Sequence, residues 1–203
     1  MFLYDHPDCP YAKKVRIVLA EKDLSFETVT IDLLAGQHRR PEFLKLNPFG
    51  KVPILVDETT VVYDSTVINE YLNDEYPHPA LLPEESGERA RARLLDDFAD
   101  AAFTLPSMAI ERELAKRPIE RNEKRMTTAR EIVTHTLAML DRELEGREYL
   151  AGEFSLADAA FAPAALQLDK LGVKIETSLG EVRAWVARLV ERPSVGPVVR
   201  LVA

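Results

Sequence analysis

The sequence predicts two domains, an α/β domain followed by an all-α domain. Strand-like and helix-like patterns alternate over residues 1–76, and only helical spacing follows the break that comes next. The break, "YPHPALLPEESGE", contains four residues that disfavour the interior of a helix, namely Pro77, Pro79, Pro83 and Gly87. We therefore place the first domain at residues 1–77, a linker at residues 78–87 and the second domain at residues 88–203.

The elements of the first domain follow from local patterns. "MFLYD" is a short apolar strand, "PYAKKVRIVLAEKD" has its apolar residues at helical spacing, and "SFETVTID" is a β-branched strand. "RPEFLKL" is a short helix opened by Pro41, where the missing N–H is harmless. "VPILVD" and "TVVYD" form a hairpin, and "STVINEYLNDEY" is a helix with Ser65 at its start. A parallel β-α-β unit, a hairpin and a final helix together predict a small thioredoxin-like α/β domain.

The second domain is predicted to be all-α. Its helical patterns cover residues 88–116, 119–145, 156–171 and 179–191. Gly146 and Gly172 suit C-terminal caps, whereas Pro106 and Pro163 lie inside predicted helices and are expected to kink them. In "FSLAD", Ser155 at the N-cap and Asp158 three residues later form a capping box, which we assign to stability.

Composition excludes several classes of function. The hydrophobic fraction is 46%, so we expect a packed globular chain. The net charge is -8, which argues against direct binding to the phosphate backbone of a nucleic acid. The sequence contains no apolar run of membrane-spanning length and no signal-peptide pattern, so no membrane partner is expected. One cysteine cannot form an internal disulfide, which favours a cytoplasmic location. We assign no metal site.

Cys9 lies where the first strand meets the first helix. Pro10 suits the first helical position, so Cys9 is at or next to the N-cap, where N–H groups and the helix dipole favour an anion. Lys13, one turn later, adds positive charge, and we expect the pKa of the thiol to be lowered. In a second role the S–H group would donate to the thiolate of a bound ligand. A buried apolar cysteine is the alternative, but ligands bind at this end of parallel strands in open α/β sheets.

Two further segments suggest a peptide-like ligand. "NPFGKVPILVD" places Pro53 at the start of an internal strand, where a cis Val52–Pro53 bond would leave the Val52 backbone free for an extended peptide. An ordinary trans proline is the alternative. "VVYDSTVINEY" places Asp64 and Ser65 at a helix start, which suits the ammonium and carboxylate groups of an α-amino acid. The alternative for this pair is simple capping, with Ser65 as the N-cap.

Together these segments resemble the glutathione transferase family over nearly the whole chain. "CPYAKKVRIVL" is similar to the omega-class pattern, and "AGQHRRPEFLKLNPFGKVPILVD" is similar to the phi and theta types. "YDSTVINEYL" resembles the acidic-Ser step of the family, although Asp64 is one methylene shorter than the usual Glu, and "FSLADAAFAP" resembles the capping box of the helical domain. The resemblance implies glutathione transferase architecture, with glutathione as co-substrate.

The resemblance also implies roles for individual residues. Cys9 would be the catalytic residue that faces the glutathione sulfur. The implied glutathione-binding residues are His38, Arg39, Lys51, Val52, Pro53, Asp64 and Ser65. Within this set, the Val52 backbone would pair with the cysteinyl part of glutathione. Asp64 and Ser65 would hold the γ-glutamyl end, and the basic residues His38, Arg39 and Lys51 would lie near the glycyl carboxylate. A pocket for the electrophile is predicted to be lined by Tyr11, Phe103, Thr104 and Met108. Aromatic and methionine residues at helical spacing more often belong to the hydrophobic core, which is the alternative.

Two functions follow from the resemblance. The first is an enzyme of detoxification that uses glutathione thiolate for conjugation to electrophiles, or for thiol–disulfide exchange through Cys9 with a disulfide substrate. The second arises because "EYLNDEYPHPALLP" and "EFSLADAAFAPAALQLDKLGVKIE" resemble stringent starvation protein A, a bacterial relative that acts with RNA polymerase without catalysis. Its Pro-His-Pro surface feature corresponds here to Pro77, His78 and Pro79. The family resemblance also implies a homodimer.

Overall fold

The computed structural model describes the backbone of residues 1–200 and the side chains of residues 1–199. The chain divides into two compact units: a first unit of Met1–Ala80 with residues 197–200, and a second unit of Leu81–Gly196. The boundary falls within the predicted linker, residues 78–87. Residues 197–200 group with the first unit, although the sequence analysis placed them in the second domain. The predicted end of that domain, residue 203, lies outside the described residues.

The first unit is a four-stranded sheet with helices, as the sequence predicts. Its elements along residues 1–80 are β1 (Phe2–Asp5), α1 (Pro10–Glu21), β2 (Glu27–Thr30), α2 (Pro41–Leu46), β3 (Ile54–Asp57), β4 (Thr60–Tyr63) and α3 (Ser65–Glu75). The strand order is β2-β1-β3-β4. β1 pairs with β2 in parallel, and β3 pairs antiparallel with both β1 and β4. This is the topology expected of a β-α-β unit followed by a hairpin, and it confirms the thioredoxin-like assignment.

The sheet is held by apolar side chains on α1 and the central strands. Leu3 of β1 and Leu55 of β3 have no exposed surface, and their Cα positions are paired in the ladder. On α1, Val15 and Val18 are equally buried, so this helix packs its apolar residues into the core of the unit. Burial of each such side chain stabilises the fold by about 1.5–3 kcal/mol.

The start of α3 differs from the prediction. Asp64, not Ser65, is the N-cap, and its carboxylate accepts the N–H groups of Thr66 and Val67. Asp64 has φ of +77°, a left-handed backbone that non-glycine residues seldom adopt. Both residue types are good caps, so the sequence alone could not choose between neighbours, and the backbone turn at the end of β4 decides.

The second unit is helical, with two isolated β-bridges at residues 149–153. Its helices are α4 (Ser86–Ala99), α5 (Leu105–Leu114), α6 (Glu123–Glu143), α7 (Leu156–Ala165) and α8 (Gly180–Glu191), and α9 (Gly196–Arg200) begins at its last residue. The predicted caps Gly146 and Gly172 have φ of +70° and +69°, as a C-terminal glycine requires. Among the described residues, no helix is both long and apolar enough to span a membrane.

The helix predicted over residues 88–116 is interrupted rather than merely kinked. A π-helical turn, Asp100–Thr104, separates α4 from α5. Pro106 has no N–H, so the carbonyl of Ala102 loses the partner it would have in a regular helix. The hydroxyl of Thr136, on α6, donates to that carbonyl at 3.1 Å. A neighbouring helix thus satisfies the group that the proline leaves without a donor.

The capping box at the start of α7 is confirmed, and it is the centre of a larger cluster. Asp158 is fully buried and accepts hydrogen bonds from Ser155 N–H (3.0 Å) and the Ser155 hydroxyl (2.8 Å). It also accepts from Leu150 N–H (3.1 Å) and Trp185 Nε1–H (2.9 Å). Burial raises the pKa of Asp158, and these donors oppose that rise. The cluster therefore ties α7 to α8 and to the bridged segment before α7.

Candidate functional site

Cys9 is the N-cap of α1, as predicted, and Pro10 occupies the first helical position. The backbone of Cys9 is fixed by its N–H, which donates to the His6 carbonyl at 2.9 Å. Its Sγ lies 3.9 Å from the carbonyl oxygen of Val52, a residue 43 positions later in the chain. The Val52–Pro53 bond is cis, as the sequence analysis proposed. The fold therefore brings two of the predicted site residues together at one end of the sheet.

The pKa of the Cys9 thiol is raised, so the prediction of a lowered pKa is wrong. Burial is the largest cause, and the charge of Asp5 adds to it. Hydrogen bonds from the backbone N–H groups of Ala12 and Tyr11 oppose the rise, as expected at a helix start, but they do not overcome burial. The thiol is therefore protonated near neutral pH and can act as a hydrogen-bond donor.

A charged pair that the sequence analysis missed lies beside the thiol. Asp5, at the end of β1, is fully buried and forms an ion pair with Arg16 of α1. Burial raises the pKa of Asp5, and Arg16 opposes the rise. The pKa of Cys9 is raised overall, and the cation whose charge opposes this rise is Arg16 rather than the predicted Lys13. The available signal for this pair in the sequence was Asp5, an acidic residue at the end of the first predicted strand and four positions before Cys9.

Asp64 and Ser65 lie together at the start of α3. Ser65 is buried and Asp64 is exposed. A single carboxylate oxygen of Asp64, Oδ1, accepts both capping hydrogen bonds, from Thr66 N–H at 3.0 Å and Val67 N–H at 3.2 Å. The carboxylate thus stabilises the helix while it stays at the surface, where it can also meet a ligand's ammonium group.

The three residues predicted to lie near the glycyl carboxylate are all in the same unit. His38 and Arg39 form a short 3-10 turn, and Arg39 Nε–H donates to His38 Nε2 at 3.3 Å. Lys51 is exposed on the loop before β3. That loop packs closely on the turn, because a Cβ at Gly50 would lie only 3.0 Å from the His38 carbonyl oxygen. The first unit therefore carries a positively charged loop region, whereas the whole chain has a net charge of -8.

Comparison with known proteins assigns the family. Models of the glutathione S-transferase N-terminal domain and C-terminal domain match residues 3–80 and 99–193 respectively. The chain belongs to the glutathione S-transferase family.

Relatives of this family member carry two kinds of name. The chain is 35% identical over 176 residues to a stringent starvation protein A homologue of Coxiella burnetii, covering 86% of this chain and 79% of the relative. It is 33% identical over 209 residues to glutathione S-transferase 2 of Saccharomyces cerevisiae, covering 96% and 88%. Among solved structures, glutathione transferase URE2P6 of Phanerochaete chrysosporium, in complex with oxidized glutathione, superposes with a TM-score of 0.86 at 27% identity, covering 97% and 93%.

The electrophile pocket of this glutathione S-transferase family member stays a prediction. Tyr11 lies in the first turn of α1, whereas the other three residues belong to the second unit. Phe103 has no exposed surface, and its ring packs edge-on against Phe161 with centroids 5.3 Å apart. Thr104 is also buried, and Met108 is half-buried. The burial of Phe103 and Thr104 fits the core interpretation that the sequence analysis kept open.

The Pro-His-Pro segment is exposed, and its backbone is fixed by hydrogen bonds from a buried lysine. Pro77, His78 and Pro79 are all exposed. The Lys22 ammonium donates to the carbonyls of Tyr76 and Pro79, at 2.7 Å each, and burial lowers the pKa of Lys22. The Tyr76 hydroxyl donates to the Asp57 carboxylate at 2.7 Å, which raises the pKa of Tyr76 to about 12. The available signal in the sequence was the position of Lys22, which follows Val18 by four residues and so falls on the apolar face of the first helical pattern.

Proposed function

We propose that this protein binds glutathione in its first unit and joins glutathione, through its sulfur, to electrophilic substrates. The observation that carries the proposal is the placement of the Cys9 thiol at the N-cap of α1, with its Sγ 3.9 Å from the Val52 carbonyl. The cysteinyl part of glutathione would pair with the Val52 backbone, which sets its sulfur beside Cys9. The family membership supports glutathione as the ligand.

The protonation state of Cys9 favours one of its two roles. Because burial raises the pKa of the thiol, Cys9 keeps its proton and donates S–H to the sulfur of bound glutathione. This donor and the dipole of α1 stabilise the ligand's thiolate, which is the nucleophile. The thiolate then forms a bond to the electrophilic atom, and the leaving group departs with the electron pair.

Thiol–disulfide exchange is the second reaction that the same site supports. In it, the Cys9 thiolate attacks the glutathione sulfur of a glutathionylated thiol, and the substrate thiolate leaves. A second glutathione then attacks the mixed disulfide and releases Cys9 as oxidised glutathione forms. This reaction needs Cys9 in its ionised form, so the raised pKa of the thiol disfavours it at neutral pH.

The two ends of the site suit the two ends of glutathione. Asp64, exposed at the start of α3, would take the γ-glutamyl ammonium, and the backbone N–H of Ser65 would take the adjacent carboxylate, because the next two N–H groups of α3 already donate to Asp64. At the other end, His38, Arg39 and Lys51 would lie near the glycyl carboxylate. Glutathione is extended and anionic, so this distribution of charge matches it.

Calorimetry and turnover on matched variants test the proposal. Glutathione should bind the wild-type chain with measurable heat and be conjugated to a chlorodinitrobenzene probe. Cys9→Ala should still bind but lose rate, and Cys9→Ser, which keeps a donor, should recover part of it. A mixed disulfide that appears by mass spectrometry only in the wild type would support the exchange reaction. No binding heat in the wild type would reject the function, and full activity in Cys9→Ala would remove Cys9 from it.

A homodimer is part of the proposal, with the first unit of one subunit against the helical unit of the other. Phe49, on the first unit, is 71% exposed. The second unit contains a groove of about 510 Å³ lined mainly by apolar residues, among them Pro106, Leu105 (53% exposed) and Ile132 (42% exposed), with Lys124 and Arg125 also in the lining. An exposed aromatic ring and an apolar groove on the same chain are complementary surfaces for a second copy.

Sedimentation velocity tests the dimer. Phe49→Ser should weaken self-association by at least about tenfold, because a buried aromatic side chain contributes several kcal/mol to an interface. Leu34→Ser is the control, because the Leu34 side chain is fully exposed in the same unit and its change should not alter association. Equal effects of the two substitutions would contradict the assigned surface.

A second function, a non-catalytic regulator associated with RNA polymerase in the cytoplasm, is favoured by the exposed Pro-His-Pro segment. Its backbone is fixed by Lys22, so the segment presents a preformed surface. In a pull-down, the wild-type chain should retain RNA polymerase, and a triple Pro77→Ala, His78→Ala, Pro79→Ala variant should not. Absence of polymerase from the wild-type sample would reject this function and leave the enzyme.

A further inference from the structure

Lys14 is a charged side chain inside the first unit. It lies on α1 and is only 1% exposed. Its ammonium donates to the hydroxyl of Thr66, in the first turn of α3, at 2.8 Å. Burying an ammonium group is costly unless it is hydrogen-bonded or paired, and a buried lysine links two helices through polar atoms where an apolar side chain would pack more favourably. Such a position suggests a role other than core packing.

Thr66 extends the connection toward the surface. While its hydroxyl accepts from Lys14, its backbone N–H donates to Asp64 Oδ1 at 3.0 Å. Two hydrogen bonds of Thr66, one at its hydroxyl and one at its backbone N–H, therefore connect Lys14 to an exposed carboxylate. Asp64 has a left-handed φ of +77°, which is unfavourable for a residue other than glycine. The capping bonds hold this backbone in place, so whatever fixes Thr66 also fixes Asp64.

The helix that carries Lys14 also carries the thiol. Cys9 caps the N-terminus of α1, and Lys14 lies five residues further along the same rigid helix. We propose that Lys14, acting through Thr66, is a positioning residue that fixes Asp64 and Ser65 relative to Cys9 and so gives the site its preference for a γ-glutamyl group. The inference rests on the proposed binding of glutathione.

The expected effect is a change in a ratio of affinities. The probes are glutathione and cysteinylglycine, which lacks the γ-glutamyl group and cannot use Asp64 or Ser65. Loss of a hydrogen bond to a charged group weakens an interaction by about 1.5–3 kcal/mol, or roughly tenfold to a hundredfold. Only part of this is transmitted to the ligand, so loosening the start of α3 should lower the preference for glutathione over cysteinylglycine by about tenfold. The affinity for cysteinylglycine should not change.

The variants are chosen to separate positioning from general damage. Thr66→Val keeps the branched shape and removes the hydroxyl, whereas Thr66→Ser keeps the hydroxyl and is the matched control. Lys14→Met removes the ammonium and keeps the length of the side chain. If Lys14→Met does not fold, Thr66→Val carries the test, and urea unfolding of each variant identifies those that are native.

Calorimetric titration of the full chain with both probes gives the decisive readout. Thr66→Val and Lys14→Met should each lose about tenfold of the preference, the double variant should lose no more than either, and Thr66→Ser should keep it. In turnover, KM for glutathione should rise while kcat stays the same. A wild-type preference in Thr66→Val, or an equal loss for both probes, would overturn the inference alone. Wild-type protein that binds neither probe would reject the proposed function itself and the inference with it.

Discussion

Replacement of Asp158 by alanine should strongly destabilise the second unit. The carboxylate is fully buried and accepts four hydrogen bonds, two at each oxygen. Each donor left without a partner in the core costs about 1–3 kcal/mol. Taking the lower limit for all four, because some donors relax toward water, Asp158→Ala should lower the free energy of unfolding by about 4 kcal/mol.

A smaller change in the same cluster sets the scale. Trp185→Phe keeps an aromatic ring against Phe161, whose centroid lies 6.3 Å from that of the Trp185 ring, and removes the indole donor together with part of the buried ring. It should cost at least about 2 kcal/mol, the value for one hydrogen bond to a charged group, because the lost ring atoms add to that cost. Asp169→Ala is the control, because Asp169 is exposed in the same unit and its change should stay within about 0.5 kcal/mol of the wild type.

Urea unfolding measures these differences. Trp185 is the only tryptophan in the sequence and lies in the second unit, so its fluorescence reports the unfolding of that unit. Circular dichroism replaces it for Trp185→Phe. If Asp158→Ala remained within about 1 kcal/mol of the wild type, the four hydrogen bonds would not stabilise the fold to the expected extent.

Three other changes probe separate parts of the molecule. The alkylation rate of native Cys9 should rise with pH through a midpoint above that of the denatured chain, because burial raises the pKa of the thiol. The neutral thiol therefore stabilises the fold below the pKa that Cys9 has in the unfolded chain. This contribution is lost as the pH rises through the pKa of Cys9 in the folded protein. Gly50→Ala should lower the melting temperature by an amount equivalent to about 1–2 kcal/mol, since φ is +60° and the new Cβ would lie 3.0 Å from the His38 carbonyl oxygen. Asn69→Leu should raise the free energy of unfolding in urea by about 1 kcal/mol, because Asn69 is fully buried and neither amide atom has a hydrogen-bond partner among the described residues.

The secondary structure of the first unit could be predicted because its signals are local. Pro10 and Pro41 both occupy first helical positions, and the hairpin strands lie within the predicted segments "VPILVD" and "TVVYD". The topology followed from these elements, since a β-α-β unit and a hairpin permit few arrangements. The cap of α3 was misplaced by one residue because the choice between Asp64 and Ser65 depends on backbone dihedral angles that the sequence does not express.

The features that could not be predicted depend on residues far apart in the chain. The break between α4 and α5 is stabilised by Thr136, 34 positions from the carbonyl it satisfies. The pKa of Cys9 rises because tertiary packing leaves the thiol half-buried, and this desolvation outweighs the local effect of the helix start. From "AKKVR" alone, Lys14 would be predicted to be exposed like its charged neighbours. Its burial is explained only by the hydrogen bond to Thr66, a residue 52 positions later in the chain.

The role of Cys9 is best decided by a pH titration of the thiolate absorbance of glutathione bound to the wild-type protein and to Cys9→Ala. A protonated Cys9 thiol at the start of α1 should stabilise the ligand's anion. The bound sulfur should therefore ionise well below the pH at which free glutathione does, and the midpoint should rise in Cys9→Ala. Bound glutathione that titrates like the free tripeptide in both proteins would contradict the role assigned to Cys9.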